Sequence, residues 1–180
     1  MLLLLLLWWS FGPGRLADAP YSVALTLTAR LAAILFLLAF LARPLARLTR
    51  TARPLVLNRR YLGLAFALVH LTHGFLVYRW AQDPAVIVDP TTLIGGGLAY
   101  GFVLLMALTS NDLSQQILGR WWGRLHRLGS YYVWFIFIFT FAGRGLGWSW
   151  STAFAGLFLA ALGLRLAVGW MPRKSTSLAH

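Results

Sequence analysis

The amino-acid sequence predicts an all-α integral membrane bundle of six transmembrane helices with both termini cytoplasmic. Three observations carry that reading. Of 180 residues, 59% are hydrophobic and only 11% charged, against roughly a quarter charged in soluble domains. The apolar residues come in long blocks, most of them near the ~20 residues that a membrane-crossing helix needs. Sixteen Lys and Arg face four acidic residues, all Asp, and the basic residues collect in alternate connections between the blocks.

The first block covers about 1–11 and ends on Trp8 and Trp9. It reads as a short, oblique first helix. A cleaved signal peptide is the rival reading, although no Lys or Arg precedes Leu2 as a charged leader region would require. The second block covers 21–42, the third 61–80, the fourth 91–108, the fifth 125–142 and the sixth 148–170. Breakers separate them: Gly12-Pro13-Gly14, Pro44, Pro54, Pro84, Pro90 and the 143–147 stretch. Gly95, Gly96, Gly97 and Gly101 lie inside the fourth block, where small residues let a neighbouring helix or a planar cofactor approach closely.

The charges give the orientation. Arg43, Arg47, Arg50, Arg53, Arg59 and Arg60 fill the connection between blocks two and three. Arg120, Arg124 and Arg127 flank the start of block five, and Arg173 and Lys174 follow block six. These segments alternate to one side, which the positive-inside rule makes cytoplasmic. The net charge of +12 thus calls for no nucleic acid. The lipid bilayer and its anionic headgroups are a sufficient partner. A bacterial inner (plasma) membrane is the expected location.

An ionisable residue within a membrane helix is costly and marks a candidate functional site. Four stand out: Arg30 in block two, His70 and His73 in block three, and His126 at the start of block five. His70 and His73 are three apart and share a helical face. They suit metal ligands, haem ligands or polar helix–helix contacts, and the spacing leaves these open. Arg30 suits either a cofactor carboxylate such as a haem propionate or the carbonyls of a neighbouring helix. Arg165, near the end of block six, can snorkel and is given no role. Without Cys there is no iron–sulfur cluster or thiolate chemistry. Without Glu, and with no carboxylate near the histidines in sequence, carboxylate acid–base and zinc hydrolase chemistry have little support. No residue is assigned as catalytic.

Three stretches resemble the ferric-reductase-like transmembrane family, and within it the haem-binding membrane subunits of the periplasmic methionine sulfoxide reductase system. The first is Thr109-Ser110, Gln115, Leu118-Gly119, Trp122 and Leu125-His126. The second is Arg59-Arg60-Tyr61-Leu62-Gly63-Leu64 followed by His73, and the third is Arg30 followed by Arg43-Pro44-Leu45-Ala46-Arg47. The resemblance covers roughly residues 26–142. It implies a single domain over 1–180 that holds haem b through imidazoles and moves electrons across the membrane, as an electron-transfer subunit rather than a catalytic one. It implies His73 as the ligand from block three and His126 as the inner histidine of block five.

The family's second histidine in block five, thirteen residues on, is Phe139 here. Thirteen residues span about 20 Å of helix, so His126 lies near the inner surface while Phe139 lies near the level of His73. His73 is about 18 Å into block three and His70 about 14 Å. Neither then faces His126 at equal depth. The expectations are a haem on one histidine, a pairing of His126 with His70, or a haem-free protein whose aromatic side chains fill the space. The function expected first is a membrane electron-transfer subunit binding haem b. The alternative is a haem-free accessory subunit of a larger membrane complex. A transporter is a third class, but no repeat or pair of interrupted helices supports it. Any flavin, nicotinamide or quinone chemistry is expected to come from a partner that supplies or accepts electrons.

Overall fold

A computed structural model describes residues 19–143 and 150–171. Seven α-helices and a 3-10 turn follow one another, with no strand among the described residues. They are α1 (Ala19–Leu48), the turn Arg50–Ala52, α2 (Arg53–Leu57), α3 (Arg59–Trp80), α4 (Pro90–Leu108), α5 (Asp112–Leu118), α6 (Arg120–Ala142) and α7 (Trp150–Trp170). The first block lies outside the described residues.

Among the described residues, four spans are long and apolar enough to cross a membrane: Ser22–Leu48, Arg59–Trp80, Pro90–Leu108 and Trp150–Trp170. The helix α6 has the length, but His126, Arg127, Ser130, Tyr131 and Tyr132 dilute its apolar run.

Helix boundaries depart from the sequence reading where a breaker is overridden. Pro44 was expected to end the second block, yet α1 continues to Leu48. A proline here removes the N–H that would bond the carbonyl of residue 40, and that carbonyl finds another donor, described below. The helix α4 starts at Pro90, whose missing N–H costs nothing at a first helical position. The Asp89 side chain caps it, accepting from the Thr92 N–H at 3.1 Å. The helix α6 starts at Arg120, five residues before the expected boundary, so His126 sits nearly two turns inside it. Gly119 makes that start possible, because its φ of +48° turns the chain sharply between α5 and α6.

The five long helices close into a ring: α1 packs on α3, α3 on α4, α4 on α6, α6 on α7 and α7 back on α1. Phenylalanines fill the centre. Phe36 of α1 stacks on Phe158 of α7 at 5.9 Å with ring planes 2° apart, and meets Phe66 at 5.3 Å and Phe137 at 5.6 Å. All four are buried.

Of the α4 glycines, Gly95 is approached by α6, where a Cβ would lie 3.6 Å from Ile136 Cδ1 and the Tyr132 hydroxyl donates to the Gly95 carbonyl at 3.1 Å. A Cβ at Gly96, Gly97 or Gly101 would meet nothing within 4 Å. The tight contacts are at glycines of α3 and α6 instead. A Cβ on Gly74 would lie 2.6 Å from the Tyr100 ring, and one on Gly129 would lie 2.8 Å from Met106 Sδ.

The basic residues gather at one end of this ring. The C-terminal end of α1, the start of α3 and the connection from α4 to α6 meet there, joined by an ion pair between Arg60 and Asp112.

Candidate functional site

Two cavities open between the helices, and each carries one of the histidines singled out by the sequence. The inner cavity, at the basic end, has a volume of about 320 Å³. Its floor is Phe36, Phe40, Phe66, Ala67, Val103 and Met106, and its polar rim holds Arg43, Arg59, Arg60, Gln115 and His126. The outer cavity, of about 210 Å³, lies between α1, α3, α6 and α7, and is lined by Arg30, His73, Trp80, Phe141, Trp150 and Phe154 among others.

His73 and His126 are not brought together. Both α3 and α6 begin at the basic end. His73 is fourteen residues into α3 and His126 six into α6, which the 1.5 Å rise per residue converts to a difference in depth of about 12 Å. The earlier start of α6 does not pair His126 with His70 either. The His70 ring is buried, stacked on Tyr100 at 4.7 Å and on Phe66 at 5.2 Å, and lies 5.3 Å from Phe137. Its Nδ1 has no hydrogen-bond partner among the described residues. Gly74 lets the Tyr100 ring approach α3 closely enough for this stack.

Phe139, at the position where the resemblance calls for a histidine, faces out of the bundle and is 59% exposed. Thirteen residues make about 3.6 turns, so residues 126 and 139 point to different sides of α6. Phe137 and Phe141 are the side chains of this run that enter the core.

Each cavity histidine is held by a threonine on a neighbouring helix. Thr28 of α1 donates its single hydroxyl proton to the Ala24 carbonyl at 2.7 Å and lies 3.0 Å from His73 Nδ1. Thr109, the C-cap of α4, donates to the Leu105 carbonyl at 2.7 Å and lies 3.1 Å from His126 Nε2. The Trp122 ring stacks on His126 at 4.2 Å, while its Nε1–H donates to the Thr109 carbonyl at 2.8 Å.

Each cavity also holds an arginine with no hydrogen-bond acceptor among the described residues. In the outer cavity it is Arg30, whose guanidinium lies 5.6 Å from the centre of the Trp150 ring. It caps no described carbonyl of a neighbouring helix. In the inner cavity it is Arg43. The neighbouring Arg59 is engaged, its Nε donating to the Ala39 carbonyl at 3.1 Å. No cluster of three or more metal-ligating side chains exists among the described residues.

The sequence reading missed Arg165. It does not snorkel: its Nη1 donates to the Phe40 carbonyl at 2.9 Å, and its guanidinium lies 4.2 Å from the Phe40 ring centre and 5.3 Å from that of Tyr131. The signal was present in Pro44, since a proline inside a helix exposes the carbonyl four residues earlier.

Fold and sites together define an all-helical integral membrane protein with polar stations on its inner faces. The chain is similar to the protein-methionine-sulfoxide reductase heme-binding subunit MsrQ of Salmonella paratyphi B, Salmonella newport and Salmonella enteritidis. It is 29% identical to each over 170 residues, covering 90% of this chain and 84% of theirs. No family model matches the chain, and no solved structure does.

Proposed function

We propose that the protein is a membrane electron-transfer subunit that holds haem b on single histidines, His126 in the inner cavity and His73 in the outer. The observation that carries this is the repetition of one donor set at two depths. Each cavity offers an imidazole held by a threonine hydroxyl, an arginine without an acceptor among the described residues, and aromatic walls. The arginines Arg30 and Arg43 suit the propionates, because a guanidinium is matched to a carboxylate in geometry and charge. The inner cavity reaches the range of about 300–1,000 Å³ common for cofactor sites, and the outer falls below it. A macrocycle on His73 would therefore be only partly enclosed. Haem b supplies one-electron redox chemistry when bound. The histidines would hold it, and Arg30 and Arg43 would neutralise its carboxylates.

The similarity to haem-binding subunits over 90% of the chain supports this reading. The remaining features follow from it: six spans, the basic end cytoplasmic by the positive-inside rule, a bacterial inner membrane, and a partner that supplies or accepts electrons. The test is an absorption spectrum of the purified protein, oxidised and dithionite-reduced. A Soret band that sharpens and shifts on reduction is expected. A colourless, iron-free protein would sink the proposal.

The packing of Phe36, Phe66, Phe137 and Phe158 favours a second reading, a haem-free accessory subunit of a larger membrane complex. These rings pack together in the centre of the bundle. This reading predicts co-purification with a larger assembly and no redox-active chromophore.

A further inference from the structure

We infer that Thr28 and Thr109 are positioning residues that hold the two cavity histidines in opposite neutral tautomers, His73 protonated on Nδ1 and His126 on Nε2. A threonine hydroxyl has one proton and two lone pairs. At Thr28 the proton goes to the Ala24 carbonyl, 2.7 Å away, so the contact of 3.0 Å with His73 can form only if Nδ1–H donates to the hydroxyl oxygen. A neutral imidazole then has its lone pair on Nε2. At Thr109 the proton goes to the Leu105 carbonyl, also at 2.7 Å, so His126 Nε2–H donates across 3.1 Å and the lone pair is left on Nδ1. Thr28 is itself buried, 3% exposed. Thr109 is fixed by the Trp122 indole that also stacks on the imidazole, so one tryptophan locks both partners of that contact.

The spacing of the motif residues acquires a physical reason in this way. Thr109, Trp122 and His126 form one closed set of contacts across the α4–α6 connection. A metal-ligating histidine commonly donates its other ring N–H to an acceptor that sets its tautomer and orientation. Thr28 gives His73 such an acceptor at Nδ1. Thr109 gives His126 one at Nε2.

The consequence for iron rests on the haem reading, but the tautomers do not, and they are measured on haem-free protein. Protein labelled with 15N-histidine is placed in detergent micelles, and two-bond proton–nitrogen correlations are recorded, with His73→Gln and His126→Gln identifying the signals. The expected result is Nδ1–H for His73 and Nε2–H for His126. Thr28→Val shifts His73 toward Nε2–H, while Thr28→Ser restores the wild-type pattern. Thr109→Val speeds exchange of the His126 Nε2 proton with water. Finding His73 as Nε2–H in the wild type overturns the inference, and so does a His73 tautomer that ignores Thr28→Val. Should Thr28→Val fail to fold, the wild-type and Thr28→Ser spectra decide alone. A separate haem titration of Thr28→Val is expected to show affinity weakened by about 10–100-fold. No haem uptake by the wild type would defeat the haem reading and leave the tautomer result standing.

Discussion

Arg165 of α7 donates to the Phe40 carbonyl of α1, the one backbone acceptor that Pro44 deprives of its helical partner. A charged side chain inside a membrane helix and a proline inside another are each unfavourable alone. Paired, the guanidinium supplies the missing donor and rests on the Phe40 and Tyr131 rings. Two further arginines tie the same end: Arg59 to the Ala39 carbonyl and Arg47 to the Val168 carbonyl.

Arg165→Leu is expected to lower stability in detergent by about 1–3 kcal/mol, the range for leaving a buried acceptor unmet. Pro44→Ala restores an N–H to the Phe40 carbonyl, so the same Arg165→Leu change should cost less in that background. Thermal unfolding of the four proteins of this double-mutant cycle measures the coupling. Equal losses in both backgrounds would dissociate Arg165 from Pro44.

Gly74→Ala is expected to destabilise by about 1–3 kcal/mol, because its Cβ would lie 2.6 Å from the Tyr100 ring and force that ring off His70. Gly97→Ala, on the exposed side of α4, meets no atom within 4 Å and should be neutral or mildly stabilising. Unfolding midpoints of the two variants compare a packed glycine with an open one.

If each cavity binds one haem, His73→Ala and His126→Ala should each retain about half the wild-type haem, and the double variant none. One-electron potentials should resolve into two waves in the wild type and one in each single variant. Haem content by pyridine haemochrome is the readout. This expectation follows from the separate cavities and the helical rise that sets the histidines about 12 Å apart in depth.

The Arg60 guanidinium beside Asp112 holds its carboxyl below the usual carboxylate range, by hydrogen bond first and then by charge. A depressed folded value means the contribution to stability is present above the unfolded value and is lost as pH falls through the folded one. Below about pH 4 the α4–α6 connection should loosen, measured as faster amide exchange over Asp112–Leu118. Asp112→Asn should remove that acid dependence. At neutral pH its effect should be small, because both side chains are exposed and the pair is screened.

The helix blocks were legible because apolar runs of membrane length leave little else to form. Pro44 was misread as a stop, because its cost is met by Arg165, which is 125 residues away in sequence. The start of α6 was missed because Arg120–Arg124 reads as a loop by charge, and only Gly119 marks the turn. The short helices α2 and α5 carry no periodic apolar signal of their own. His73, His126 and Arg30 were legible as misplaced polar residues in apolar blocks. The separation of His73 and His126 in depth was expected from counting residues, but the cavities that they line were not, because those depend on how the neighbouring helices pack around them. Phe139 is nineteen residues into α6 and His73 fourteen into α3, so the earlier start of α6 sets Phe139 about 7.5 Å deeper than His73 instead of level with it. Its outward direction depends on the fraction of a turn left over. The threonines that hold the histidines were invisible until α1, α3, α4 and α6 were set side by side.

The phenylalanine centre has one more consequence. The core rings of Phe36, Phe66, Phe137 and Phe158 carry no polar atom, and the side chains of His70 and Tyr100 stack beside them. An electron passed between the two cavities would cross part of the bilayer, so the transfer would be electrogenic. Its driving force would then shift with membrane voltage, by up to about 2.3 kcal/mol per 100 mV for a full crossing.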